Sequence, residues 1–253
     1  MLPVNQSFGW NYSSRMTNSQ YDVIGIESWV SDLQDASPRV DRALASLAQS
    51  LRHDGALSSE EKGVIVASIA ASKGDMEGCS RWVELFCGEF EEWQMLAALL
   101  FLSRGAPAAK TLLAATGSRS EVLSRPPTSD SPGTEEIAEY FLGVFGQIPA
   151  RVTLLQEHAP EALETYFLLR EETLGGHVLD SRLAQLALVG VNAADRQEEF
   201  TYEHILGALK EKASAGQLVE AGVCAMLYGG LASWTTAAAA ITRAISNSDD
   251  HTF

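Results

Sequence analysis

Cysteine is scarce: Cys79, Cys87 and Cys224 are the three in 253 residues, widely spaced, with no CxxC among them. That odd, scattered set excludes a disulfide framework and a cysteine zinc site, and it makes a reducing, cytoplasmic setting the expectation. Positive charge is also scarce. The formal net charge is −15 and no Lys/Arg-rich run occurs, so nucleic acid is not an expected partner. The acidic balance keeps a helical oligomer soluble, and a strongly anionic ligand would need a local basic pocket. Long apolar stretches are missing, the most apolar lying around residues 95–102. That is too short to span a bilayer, and no membrane association is expected. The first 20 residues lack the basic-then-apolar pattern of a signal peptide. No GxSxG turn, phosphate loop or dinucleotide fingerprint occurs, and His204 has no second ligand at HxxxH or HxxE spacing. Neither a metal nor a cofactor is expected.

Extended Val/Ile/Thr alternation is absent too, which disfavours strands. What remains is an Ala- and Leu-rich chain, 46% hydrophobic, enough for a substantial core. The expected fold class is all-α. Residues 1–25 form an arm with apolar anchors Trp10, Tyr12 and Tyr21, either packed on a neighbouring subunit or disordered. A first helical unit spans 26–115. In it Ser37-Pro38 starts a helix, and Ser58-Ser59-Glu60-Glu61 caps another. The run Val64-Ile-Val-Ala-Ser-Ile-Ala-Ala71 has no polar face and is a buried helix. Residues 116–134, with Gly117, Pro126, Pro127, Pro132 and Gly133, form a linker by composition. A second unit spans 135–246 and a tail 247–253.

The two units echo each other. Asp32-Leu-Gln-Asp-Ala-Ser-Pro38 lines up with Leu154-Leu-Gln-Glu-His-Ala-Pro160, and Leu57-Ser-Ser-Glu60 with Leu179-Asp-Ser-Arg182. Both matches lie 122 residues apart. Arg104-Gly-Ala-Pro and Gly229-Gly-Leu-Ala match about 125 apart. The chain reads as a tandem duplication of a helical unit.

Polar residues at helical spacing mark the second copy. Asp180 caps an apolar helix on which Gln185 and Asn192, seven apart, share a face. A further helix begins near Gln197, with Gln197, Phe200 and His204 at i, i+3 and i+7. If these helices lie side by side, Gln185, Asn192, Gln197 and His204 converge. Imidazole is the usual general acid/base near neutral pH. The expected catalytic pair is His204 with Glu199, while Glu203 falls on a different helical face. Gln185, Asn192, Gln197, Phe200, Arg196, Tyr228 and Trp234 are the expected substrate contacts. The bland alternative is a core histidine bonded to a carbonyl. In the first copy the ungapped counterpart of His204 is Trp82, or Cys79 if the insertion falls earlier; either way the histidine is missing, so that half is the structural one or lends walls to the site. Cys79 and Cys87 read as small buried side chains.

Leu179-Asp-Ser-Arg182, the apolar helix to Ala194, Glu199 followed by His204, Ala208, Glu220 and Tyr228-Gly-Gly-Leu-Ala232 together carry a resemblance. The second unit resembles the carboxymuconolactone decarboxylase family, which shares its fold with AhpD-like alkylhydroperoxidase accessory proteins. The family pattern runs close to E-x-x-L-x-x-H-x-x-x-A, then E, then Y-x-G-x-P, and Ala232 replaces the proline. The resemblance implies a tandem AhpD-like helical bundle assembled as a homotrimer. Gln197 and Phe200 stand at the thiol positions of the peroxidase branch and Gln185 at its relay glutamate, so disulfide-based peroxidase chemistry has no thiols to run on. It implies a cofactor-independent lyase or isomerase acting on a small organic acid, lactone or polyketide-like metabolite in secondary metabolism. A non-catalytic helical binding or assembly protein of the same fold is the alternative, and a thiol peroxidase, which needs Cys79 within disulfide reach of another cysteine, is a third reading.

Overall fold

The computed structural model describes residues 37–85, 89–117 and 132–249. The expected arm, most of the expected linker and Cys87 lie outside the described residues. Among those described, every regular element is a helix, eleven in all. Proline or a capping side chain starts several of them. Helix α1 (Pro38–Arg52) opens on Pro38 behind Ser37, whose hydroxyl accepts from Arg39 N. Helix α2 (Ser59–Lys73) opens on a reciprocal capping box between Ser58 and Glu61. Helices α3 (Met76–Leu85), α4 (Phe90–Arg104) and α5 (Ala106–Ala115) complete the first half. Then come α6 (Thr134–Phe145), α7 (Ala150–His158), α8 (Pro160–Leu174), α9 (Ser181–Ala194), α10 (Glu198–Lys210) and α11 (Ala215–Asp249). Asp180 caps α9 by accepting from Leu183 N at 2.7 Å.

Helices α2 and α9 are the centre of the molecule. Residues 62–71 of α2 and 183–194 of α9 are buried on all sides. They approach closely because Gly190 carries no side chain: a Cβ there would lie 2.7 Å from Ile65 Cγ2. One core cluster takes residues from both halves, from Leu51 through Trp82 and Leu186 to Ala244. A smaller cluster (Ile137, Phe141, Val152, Leu163, Phe167) joins α6, α7 and α8.

An ion pair with a buried lysine and a half-buried carboxylate ties the halves together. Lys62, 4% exposed, donates to the carbonyls of Ser50 and His53 and pairs with Glu220 at 3.0 Å. Glu220 also accepts from the backbone N–H groups of Ala56 and Leu57, both at 2.9 Å. Burial alone would raise the Glu220 carboxyl, but those N–H groups and Lys62 hold it below the usual range.

Helix α11 is a longer apolar element than the uninterrupted run at residues 95–102, although polar residues interrupt it. Ala215–Ser246 is long and apolar enough to cross a membrane by length and composition, with mean hydropathy 1.2 in its most apolar window, 33% of that window being buried. It bends at Gly230, whose φ of 65° and ψ of −161° interrupt the helical geometry. It also runs on to Asp249, past the expected start of the tail.

Helix starts recur at fixed separations. Pro38 and Pro160, Ser59 and Ser181, and Met76 and Glu198 are each 122 apart. So are Gly74 and Arg196, both at positive φ (73° and 59°). Gly105 and Gly230 share φ near 70° with extended ψ, and they are 125 apart.

Candidate functional site

Helices α9 and α10 lie side by side and bring Gln185 to His204. Gln185 Oε1 and His204 Nδ1 are 2.8 Å apart. With the amide oxygen facing it, Nδ1 carries the ring proton, leaving the Nε2 lone pair free to accept. No protein group among the described residues bonds Nε2. Gly207 makes the pairing possible: a Cβ there would fall 2.6 Å from the Gln185 carboxamide.

The His204 ring lines a cavity of about 240 Å³ whose polar wall is Arg104, Arg151, Arg170, Asn192 and Glu203. That volume is below the ~300–1,000 Å³ of typical ligand pockets, so it suits a small molecule. Each arginine comes from a different helix. Arg104, the last residue of α4, pairs with Asp195 (Nε to Oδ2, 2.7 Å) and donates to Asn192 Oδ1 at 2.8 Å. Asn192 is 2% exposed and donates back to the Leu188 carbonyl at 2.7 Å. Arg151 of α7 pairs with Glu203 at 2.7 Å and stands 5.5 Å over the Phe200 ring. Arg170 of α8 lies 5.7 Å over Phe141. Its Nε is buried without a hydrogen-bond partner, and no carboxylate pairs with it among the described residues.

These surroundings set the state of the imidazole. Burial, then the charges of Arg170, Arg104 and Arg151, push His204 down to about 3. The ring is therefore neutral throughout the physiological range, unlike the near-neutral titration expected from histidine chemistry alone.

Of the expected site residues, Gln185, Asn192, Phe200 and His204 come together here. The others lie elsewhere. Glu199 is exposed and bonded to Arg243 at 2.6 Å, which holds its carboxyl low, so Glu203 and not Glu199 is the carboxylate at the cavity. Glu203, expected on a different helical face from His204, still lines the cavity because the cavity wraps two adjacent faces of α10. Gln197 is the exposed N-cap of α10 with non-helical φ and ψ (−91°, 77°), which takes it off the His204 face. Arg196 is exposed at positive φ. Tyr228 donates to Asp75 at 2.6 Å, and Trp234 packs against Gly222 on the main core. Neither lines the cavity.

The three arginines were not anticipated. One carries a signal in hindsight: Leu163, Phe167, Arg170 and Leu174 recur at i, i+4, i+7 and i+11, putting a cation on a buried stripe. Cys79 and Cys224 are buried and pushed up to about 12, mainly by burial, so neither is a ready thiolate. No group of three or more His, Cys, Asp or Glu side chains suited to a metal ion occurs among the described residues. A scan against protein-family models finds no match to the chain, and a search of curated proteins finds no significant match.

Proposed function

We propose that the His204 cavity is the active site of a cofactor-independent acid/base enzyme acting on a small organic anion. The observation that carries this is a neutral imidazole, oriented by Gln185, in a cavity walled by three guanidiniums. A carboxylate entering the cavity meets Arg170, which has no carboxylate partner among the described residues. The bound anion offsets the arginine charges that depress His204, and its imidazole becomes a stronger base. Nε2 then takes a proton from carbon beside the substrate's carbonyl, and Arg104 and Arg170 stabilise the negative charge that develops. In isomerisation His204 returns that proton to a different carbon of the enolate; in decarboxylation the enolate forms instead by loss of CO2, and a proton from solvent, passed through His204, is added to its carbon. The recurring helix starts and paired positive-φ sites support a tandem duplication of an AhpD-like unit as the scaffold. A trimer of two-unit chains in the cytoplasm belongs to the same proposal.

A second reading, a non-catalytic anion-binding protein, is favoured by the same low pKa, since an imidazole near 3 is a weak base until its surroundings change. Incubation with small 2-oxo and β-keto acids in D2O separates the two. Deuterium incorporation or CO2 release that disappears in His204→Ala supports the enzyme. Binding without either reaction supports the second reading.

A further inference from the structure

A second cavity, of about 250 Å³, adjoins the first among α6, α8, α9 and α10. It shares Arg170 and Glu203 with the His204 cavity, so these two side chains are the wall that both have in common. The two spaces differ in character. The His204 side has three guanidiniums against one carboxylate. The other side has Arg170 and Lys210 against Glu171, Glu203 and Glu211, close to balance, and carries an apolar lining of Tyr140, Val144, Phe167 and Leu174. Tyr140 and Phe167 meet edge-on there, with centroids 5.1 Å apart. Gln185 joins the two: its carboxamide lines the second cavity while its oxygen holds His204.

Resting on the anion reading above, we infer that the two cavities are head and tail lobes of one substrate site, and that the substrate is a carboxylate bearing an aromatic tail. The head sits among the arginines. The tail passes Arg170 and packs on Tyr140 and Phe167, where an aromatic ring finds edge-on partners. Neither lobe alone reaches the usual ligand-pocket volume, and together they fall within the ~300–1,000 Å³ range. Arg170, on the shared wall, anchors the carboxylate at the junction.

Calorimetry with butyrate and 4-phenylbutyrate on the full chain tests this, with the imidazole signal of His204 followed by NMR. Both acids should shift the His204 signal, each with one molecule per chain, and the phenyl compound should bind about thirtyfold tighter because its ring is buried. Val144→Trp, which fills the tail lobe, should bring 4-phenylbutyrate back to the butyrate affinity. Tyr140→Ala, at a 40% exposed position, should weaken 4-phenylbutyrate about fivefold and leave butyrate unchanged, which covers the case in which Val144→Trp does not fold. Equal affinities, or two phenylbutyrate molecules per chain, overturn the shared site while leaving the anion reading in place. If neither acid shifts His204, the anion reading itself falls.

Discussion

The α2–α3 and α9–α10 pairs start at positions 122 apart and pack against each other, yet one is filled and the other is hollow. Where the second pair has Gln185, Asn192 and His204, the first has Gly63, Ala70 and Trp82. Trp82 is 1% exposed and its indole occupies the interior, with Nε1 buried and unpartnered. Gly63 removes the side chain that would stand where Gln185 does. The second pair carries a smaller, polar ring at that offset, oriented by an amide, and it lines a cavity that α4, α7 and α8 wall with arginines.

Emptying the filled half should produce the largest effect. Trp82→Ala removes a fully buried ring and should cost about 3–5 kcal/mol, read by chemical unfolding. His204→Ala, at a site already hollow, should cost much less. Equal losses would dissolve the contrast between the halves. Next comes the pair that joins them: Glu220→Ala leaves the buried Lys62 with only its Ser50 and His53 carbonyl partners and should cost about 1–3 kcal/mol. A loss below about 1 kcal/mol would mean that the latch is solvated.

The third prediction concerns pH and the imidazole of His204. The unfolded chain binds a proton on His204 as pH falls through 6.5, and the folded chain resists doing so until about 3. Stability due to this group is therefore unaffected above pH 6.5 and declines below it, by less than about 1.4 kcal/mol per pH unit for a half-buried ring. His204→Gln should flatten that part of the pH–stability curve, and an unchanged slope would refute the depressed pKa. Arg170→Met should raise the His204 pKa toward 6.5, since it removes the nearest-acting cation, as NMR titration would show. The smallest effect is expected at Glu199→Gln, within about 0.5 kcal/mol, because its pair with Arg243 is exposed. No change at the His204 ring should accompany it.

Much of the helical framework was legible in the chain. Ser37, Ser58 with Glu61, and Asp180 cap the helices they were expected to cap, since capping depends on side chains two or three residues from the helix start. The buried α2 run was equally plain, because a helix without a polar face has no surface to give to water. The meeting of Gln185 with His204 followed from two helices lying side by side. Glu199 failed for a tertiary reason, a cation 44 residues away on α11, and Gln197 for a local one, since it sits at the N-cap of α10 outside helical geometry.

Helix identity, capping and the apolar interior of α2 and α9 were determined by the sequence alone, because each depends on residues within a turn or two. The cavity's charge, the state of His204 and the pairing of Lys62 with Glu220 were decided only by the tertiary structure. Arg104, Arg151 and Arg170 are spread over 67 positions and three helices. Their fields act on His204 through space, and no local pattern records which distant helices will meet.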